Sequence, residues 1–127
     1  MSVKHILMMF CAGGLGTLSR FGLSALITKL AGGPFPLGVF VVNILGCFLF
    51  GFIWELVVLR QAVSEYTRII LLTGFTGAFT TFSTFIFDSF ILYNTKLAMA
   101  ALNVIGQVVI GFLFLYLGIK TMRIMLA

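Results

Sequence analysis

Arg20, Asn43, Asp88, Asn103 and Gln107 each stand inside a stretch of chain that is otherwise apolar. Polar and ionisable groups in such surroundings are costly, and they face a partner or a water-filled path. Arg20, deep in the first stretch, either meets such a partner or snorkels to, or caps, a helix end. Asn43 is either a donor in a path or glue between helices. Asp88 comes late in its stretch, near enough to the end to be solvated. Asn103 and Gln107 are one turn apart on one helix face, where they line a path or pair across a helix contact. The chemistry open to this set is solvation of a polar solute in a dry place.

A second set lies between Gly74 and Phe85, in the run GFTGAFTTFSTF, with four Thr, one Ser and four Phe around two Gly. Gly costs about 1 kcal/mol in a helix interior and Thr is also disfavoured. Gly74, Thr76, Gly77 and Thr80 therefore predict a break in the helix. Breaks at membrane depth persist where the freed backbone is buried in protein or faces a cavity. There, free carbonyls meet cations and free amides meet anions. Beyond the break, Phe82 and Phe85 are three apart on neighbouring parts of one face, and Thr81, Thr84 and Asp88 form another stripe. A ring edge is positive and attracts an anion; the plainer use of these Phe is packing against lipid or helices.

Other chemistry is missing. No phosphate loop, serine–histidine pair or metal-ligand spacing is present, so no enzyme is indicated. Cys11 and Cys47 lie in apolar stretches and read as buried small hydrophobes. The single histidine, His5, reads as a surface residue at the N-terminal edge. The net charge of +5 comes mostly from basic residues at the ends of apolar stretches. That is headgroup anchoring, not nucleic-acid binding.

The elements that must position these groups are membrane spans. Of the 127 residues, 61% are hydrophobic and 9% charged, against about 25% charged in soluble domains. Residues 1–127 read as one all-α transmembrane domain. About 20 apolar residues cross a bilayer, and four segments suffice: Ile6–Ile27, Leu37–Leu59, Ile69–Tyr93 and Leu97–Ile119. The first is long, interrupted by Arg20 and without a cleavage site, so it reads as a span and not as a signal peptide. The connections TKLAGGPFP, RQAVSEYTR and YNTK are short, which makes neighbours antiparallel. The Gly13–Gly16 cluster, and the pairs Gly46 with Gly51 and Gly106 with Gly111, let backbones approach. Lys4, Arg60, Arg68, Lys120 and Arg123 fall on the side of the termini, against Lys29 and Lys96 on the other, a moderate bias that favours termini inside without settling a single orientation.

The run GFTGAFTTFSTF, with GGLGTLSRFG around Arg20 and GVFVVNILGCFLFG around Asn43, resembles the Fluc (CrcB) family of fluoride channels. Three motifs in order, with the matching length and span number, extend the resemblance over essentially the whole chain. It implies an antiparallel, dual-topology homodimer with two pores in the inner (plasma) membrane, passively exporting fluoride and so conferring fluoride resistance. Phe82 and Phe85 match the rings whose edges line the ion path, Asn43 the asparagine near them, and Ser83 and Thr84 the adjacent hydroxyl positions. Gly77 and Thr80 match positions whose backbone carbonyls hold a structural sodium ion (Na+) at the dimer axis. Arg20 matches a buried arginine. Asp88 stands where several relatives carry glutamate. Asn103 and Gln107 loosely represent a polar track along the fourth span.

Two other functions fit four short spans. A small proton-coupled multidrug exporter needs a titratable carboxylate in its first span, where this chain has Arg20 and no acid. A non-transporting assembly subunit would carry no flux at all.

Overall fold

The computed structural model describes residues 2–60 and 63–127. The regular elements among these residues are all helices, with no strand. Four helices are long and apolar enough to cross a membrane: Val3–Ala31, Leu37–Val57, Glu65–Thr95 and Leu97–Leu126. The spans read from sequence sit inside the helices, the second within Leu37–Arg60. Part of the connection RQAVSEYTR lies outside the described residues.

Helix α1 (Val3–Ala31) ends where Gly32 turns left-handed at φ 61°, its N–H returning to the Thr28 carbonyl. Gly accepts this conformation without a Cβ penalty. Pro34 and Pro36 then carry the chain into α2 (Leu37–Arg60). Helix α3 (Glu65–Ile69) is capped by Ser64, whose Oγ accepts from the Thr67 N–H at 3.2 Å.

The chain continues from α3 as a π-helical segment, Ile70–Thr76, and the short α4, Gly77–Phe79. Wide π turns hold by bonds to the fifth residue back. Thr76 Oγ1 donates to the Leu71 carbonyl at 3.1 Å, and the Gly77 N–H reaches the Leu72 carbonyl. Thr80 and Thr81 are extended, at φ −90°, ψ 161° and φ −146°, ψ 114°. Helix α5 (Phe82–Thr95) restarts with Thr81 as its cap, and α6 (Leu97–Leu126) follows a kink at Lys96.

Helix α2 packs along α6, α5 lies on α6, and α1 lies on the π-helical segment, α4 and α2. Two close approaches explain the glycines. A Cβ at Gly16 would strike the Phe75 carbonyl, and one at Gly51 the Leu115 carbonyl. The first seats α1 on the π-helical segment; the second brings α2 onto α6. Most large apolar side chains of α1 point away from the bundle, as expected of a lipid-facing helix.

Two expectations are corrected. Cys11 is exposed on the outer face of α1, because the inward face there is taken by small residues such as Ala12 against Gly74. His5 is half-buried and stacks on Tyr66 with ring centroids 4.1 Å apart, since α3 folds back over the start of α1.

Candidate functional site

Thr80 and Thr81 leave the helical hydrogen-bond ladder, so their backbone groups need partners from elsewhere. Asn43, on α2, supplies them for Thr81. Its Oδ1 accepts from the Thr81 N–H at 2.8 Å, and its Nδ2 donates to the Thr81 carbonyl at 3.1 Å. A side-chain amide has one carbonyl and two N–H donors, so it pairs with a backbone as another backbone would. The second Nδ2 donor goes to Gln107 Oε1 at 2.7 Å.

Arg20, on α1, serves the other side of the interruption. Its Nε donates to the Ala78 carbonyl at 3.2 Å. The last carbonyls of a helix lack N–H partners and carry partial negative charge, so a guanidinium is well placed there. Of the two readings of Arg20, this contact matches the capping of a helix end.

Beyond the interruption, Thr81 Oγ1 accepts from the Thr84 N–H at 3.4 Å and donates to Thr84 Oγ1 at 3.0 Å. These bonds cap α5 and aim its N-terminus at the interruption. The rings of Phe82 and Phe85 lie 5.7 Å apart at 56°. Their environments differ: Phe82 is 74% exposed on the single chain and Phe85 only 7%.

A recess of about 290 Å³ is bordered by Asn43, Cys47, Thr80, Thr81, Phe82, Phe85, Gln107 and Val108. A second, of about 210 Å³, is bordered by Arg20, Phe21, Ser24, Ala25, Val39, Thr81 and Thr84. Thr81 belongs to both, so the extended residues divide two polar-edged recesses. Asn103 and Gln107 are joined, with Gln107 Nε2 donating to Asn103 Oδ1 at 2.9 Å. The structure thus gathers Asn43, Phe82, Phe85 and Gln107 around one recess and Arg20 and Thr84 around the other. Ser83 is exposed and borders neither; Asp88 is half-buried and its carboxylate makes no hydrogen bond among the described residues.

Gly77 and Thr80 border a third recess of about 300 Å³, with Gly46, Cys47, Phe50, Thr76 and Leu115. The helical turns end at Phe79, which frees carbonyls near this recess. Neutral backbone oxygens of this kind fit a hard monovalent cation. Among the described residues, no group of His, Cys, Asp and Glu could hold a metal.

Two functional-looking groups escaped the sequence reading. Ser89 Oγ accepts from Asn103 Nδ2 at 2.9 Å and donates to the Phe85 carbonyl at 2.7 Å. Its place one turn after Phe85 was the available signal. Glu55, on α2, is 4% exposed and takes both Nε and Nη2 of Arg123 from α6, each at 2.8 Å. The signal in the sequence was only a lone acid near the end of the second span and an arginine near the end of the last, with nothing to join them.

The family model described as CrcB-like protein, camphor resistance (CrcB), matches residues 7–119. A fluoride-specific ion channel FluC of Nitratidesulfovibrio vulgaris is 46% identical over 123 residues, covering 96% of this chain and 99% of that protein. Another of the same name, from Nitrosococcus oceani, is 49% identical over 114 residues, covering 89% of this chain and 91% of that one. A third, from Solidesulfovibrio magneticus, is 48% identical, with the same two coverages of 89% and 91%.

Proposed function

The chain belongs to the CrcB family, and we propose that it is a fluoride-selective passive ion channel that lets cytoplasmic fluoride out of the cell. It is a multi-pass membrane protein and, as a member of a channel family, no enzyme. The observation that carries the channel reading is the recess where Asn43, Gln107, Phe82 and Phe85 meet at the extended Thr80–Thr81 segment.

Fluoride is small and tightly hydrated, so a selective path replaces its water with many moderate donors. Amide N–H groups, threonine hydroxyls and positive ring edges are such donors. Several moderate contacts admit an ion without trapping it, which conduction requires. Arg20 and the N-terminus of α5 add positive potential beside the same segment. Hydrogen fluoride crosses the bilayer uncharged and releases fluoride inside; the negative interior then drives the anion out.

The third span is read as a broken helix whose ends serve this path. The assembly is read as a homodimer of oppositely oriented copies with two pores. Its support is the exposure of Phe82 on the edge of a recess that one chain leaves open. Cysteine labelling from each side of intact membranes should find both orientations; a single orientation would overturn the antiparallel arrangement. Carbonyls of Gly77 and Thr80 from each copy would hold a static sodium ion at the axis, which supplies positive charge between the helix ends.

Nothing favours the exporter: Arg20 in α1 bonds a helix end, and α1 carries no carboxylate. The direct test is fluoride efflux from liposomes holding the purified protein, with chloride as control. Fluoride release without chloride release is expected. Equal release of both, or of neither, overturns the reading.

A further inference from the structure

Ser89 closes a chain of hydrogen bonds that starts at Thr81 and crosses three helices. The Thr81 N–H donates to Asn43, Asn43 Nδ2 to Gln107 Oε1, and Gln107 Nε2 to Asn103 Oδ1. Asn103 Nδ2 then donates to Ser89 Oγ, and Ser89 to the Phe85 carbonyl. Every donor points the same way along the chain. Backbone groups fix both ends, because the Thr81 N–H can only donate and the Phe85 carbonyl can only accept. Turning over the Gln107 amide would set donor against donor at Asn43 and acceptor against acceptor at Asn103.

Asn43 has both N–H groups committed, to Thr81 and Gln107. Gln107 commits one, to Asn103, and borders the recess. Asn103 is 0% exposed and borders no recess described above, and Ser89 is 9% exposed. We propose that Ser89 and Asn103 are positioning residues for ion passage, holding the Gln107 amide so that its oxygen receives Asn43 and its second N–H is left for the anion in the recess. The proposal rests on the channel reading above. It assigns Asn43 mainly to the extended backbone and Gln107 to the ion. Hydrogen bonds aligned head to tail polarise one another, which strengthens the N–H that Gln107 presents. Asn103 and Ser89 act only through Gln107.

The test uses Ser89→Ala, Ser89→Thr and Gln107→Leu in liposome fluoride efflux, with the side-chain amide resonances of Asn43 and Gln107 followed by NMR. Ser89→Ala should lower efflux roughly tenfold, the scale of loss when a working group is misplaced by a fraction of an ångström. It should also shift the Gln107 side-chain resonances. Ser89→Thr, which keeps the hydroxyl, should restore most of the flux. In a Gln107→Leu background, Ser89→Ala should cost little more, because the route through Gln107 is already gone. Full efflux with unshifted resonances in Ser89→Ala, or fully additive losses in the double variant, overturns the relay while leaving the channel reading intact. Should Ser89→Ala not fold, the wild type still decides: rapid deuterium exchange at the Asn43 and Gln107 side-chain amides excludes a buried relay. A folded wild type that passes no fluoride overturns the channel reading and, with it, any role of the relay in passage.

Discussion

Asn43 pairs with Thr81 as a neighbouring strand would, accepting from its N–H at 2.8 Å and donating to its carbonyl at 3.1 Å. One side chain on α2 thus satisfies both backbone groups of a residue that has left the helix. Arg20 does the same for the Ala78 carbonyl from α1. Arg20 and Asn43 thus serve backbone groups of the third span.

Asn43→Asp should impair fluoride passage more than Asn43→Ser. The carboxylate has no N–H for Thr81 or Gln107 and repels an anion, whereas serine still donates one bond. Leaving a buried partner unsatisfied costs about 1–3 kcal/mol, so both variants should also lose thermal stability. Equal flux through well-folded Asp and Ser variants would return Asn43 to a purely packing role.

Phe82→Ile and Phe85→Ile should each cut fluoride flux severely in a protein that still assembles. An aromatic contact of about 1.5 kcal/mol corresponds to roughly a tenfold change in rate. Phe85, 7% exposed, should also lose stability when shortened; Phe82, 74% exposed on one chain, should lose less. Wild-type flux in both variants, measured beside an intact elution profile, would mark these rings as packing groups.

Arg123→Ala should destabilise the protein through Glu55, which is 4% exposed and would be left buried without its partner. An uncompensated buried charge is worse than a neutral side chain. The double variant Arg123→Ala with Glu55→Gln should therefore melt above Arg123→Ala alone. A double variant melting at or below the single one would show the pair to be immaterial. The exposed Arg68–Glu65 contact, at 4.0 Å, should matter little when removed.

The sequence made the four spans plain, because length and apolarity alone define them, and it marked Gly74–Phe85 as the place where regular helix would be hard to keep. It did not reveal how that difficulty is met. Wide turns over Ile70–Thr76 and extended residues at Thr80 and Thr81 depend on Arg20, Asn43 and Gly16, which arrive from other helices. Asn103 and Gln107 were legible as a pair by their spacing. Ser89 was hidden, since a serine in a helix has a local carbonyl to bond and needs no distant partner. Glu55 was hidden for the opposite reason: its partner lies 68 positions away.

Sodium removal should abolish fluoride passage or assembly without creating a cation current. Gly77 and Thr80 would offer backbone carbonyls that also belong to the interrupted span, so an ion held there would be part of the scaffold and would not be carried. Purification in a large organic cation, followed by return of sodium, should show loss and recovery of flux. Full activity with sodium verified absent would contradict the proposed ion.

Planar-bilayer recording of the purified protein under a fluoride gradient tests the channel reading most directly. The current should reverse near the fluoride equilibrium potential, and the reversal should stay there when chloride, sodium or proton gradients are imposed. A reversal that follows chloride, sodium or protons, or a protein that carries no current at all, would contradict it.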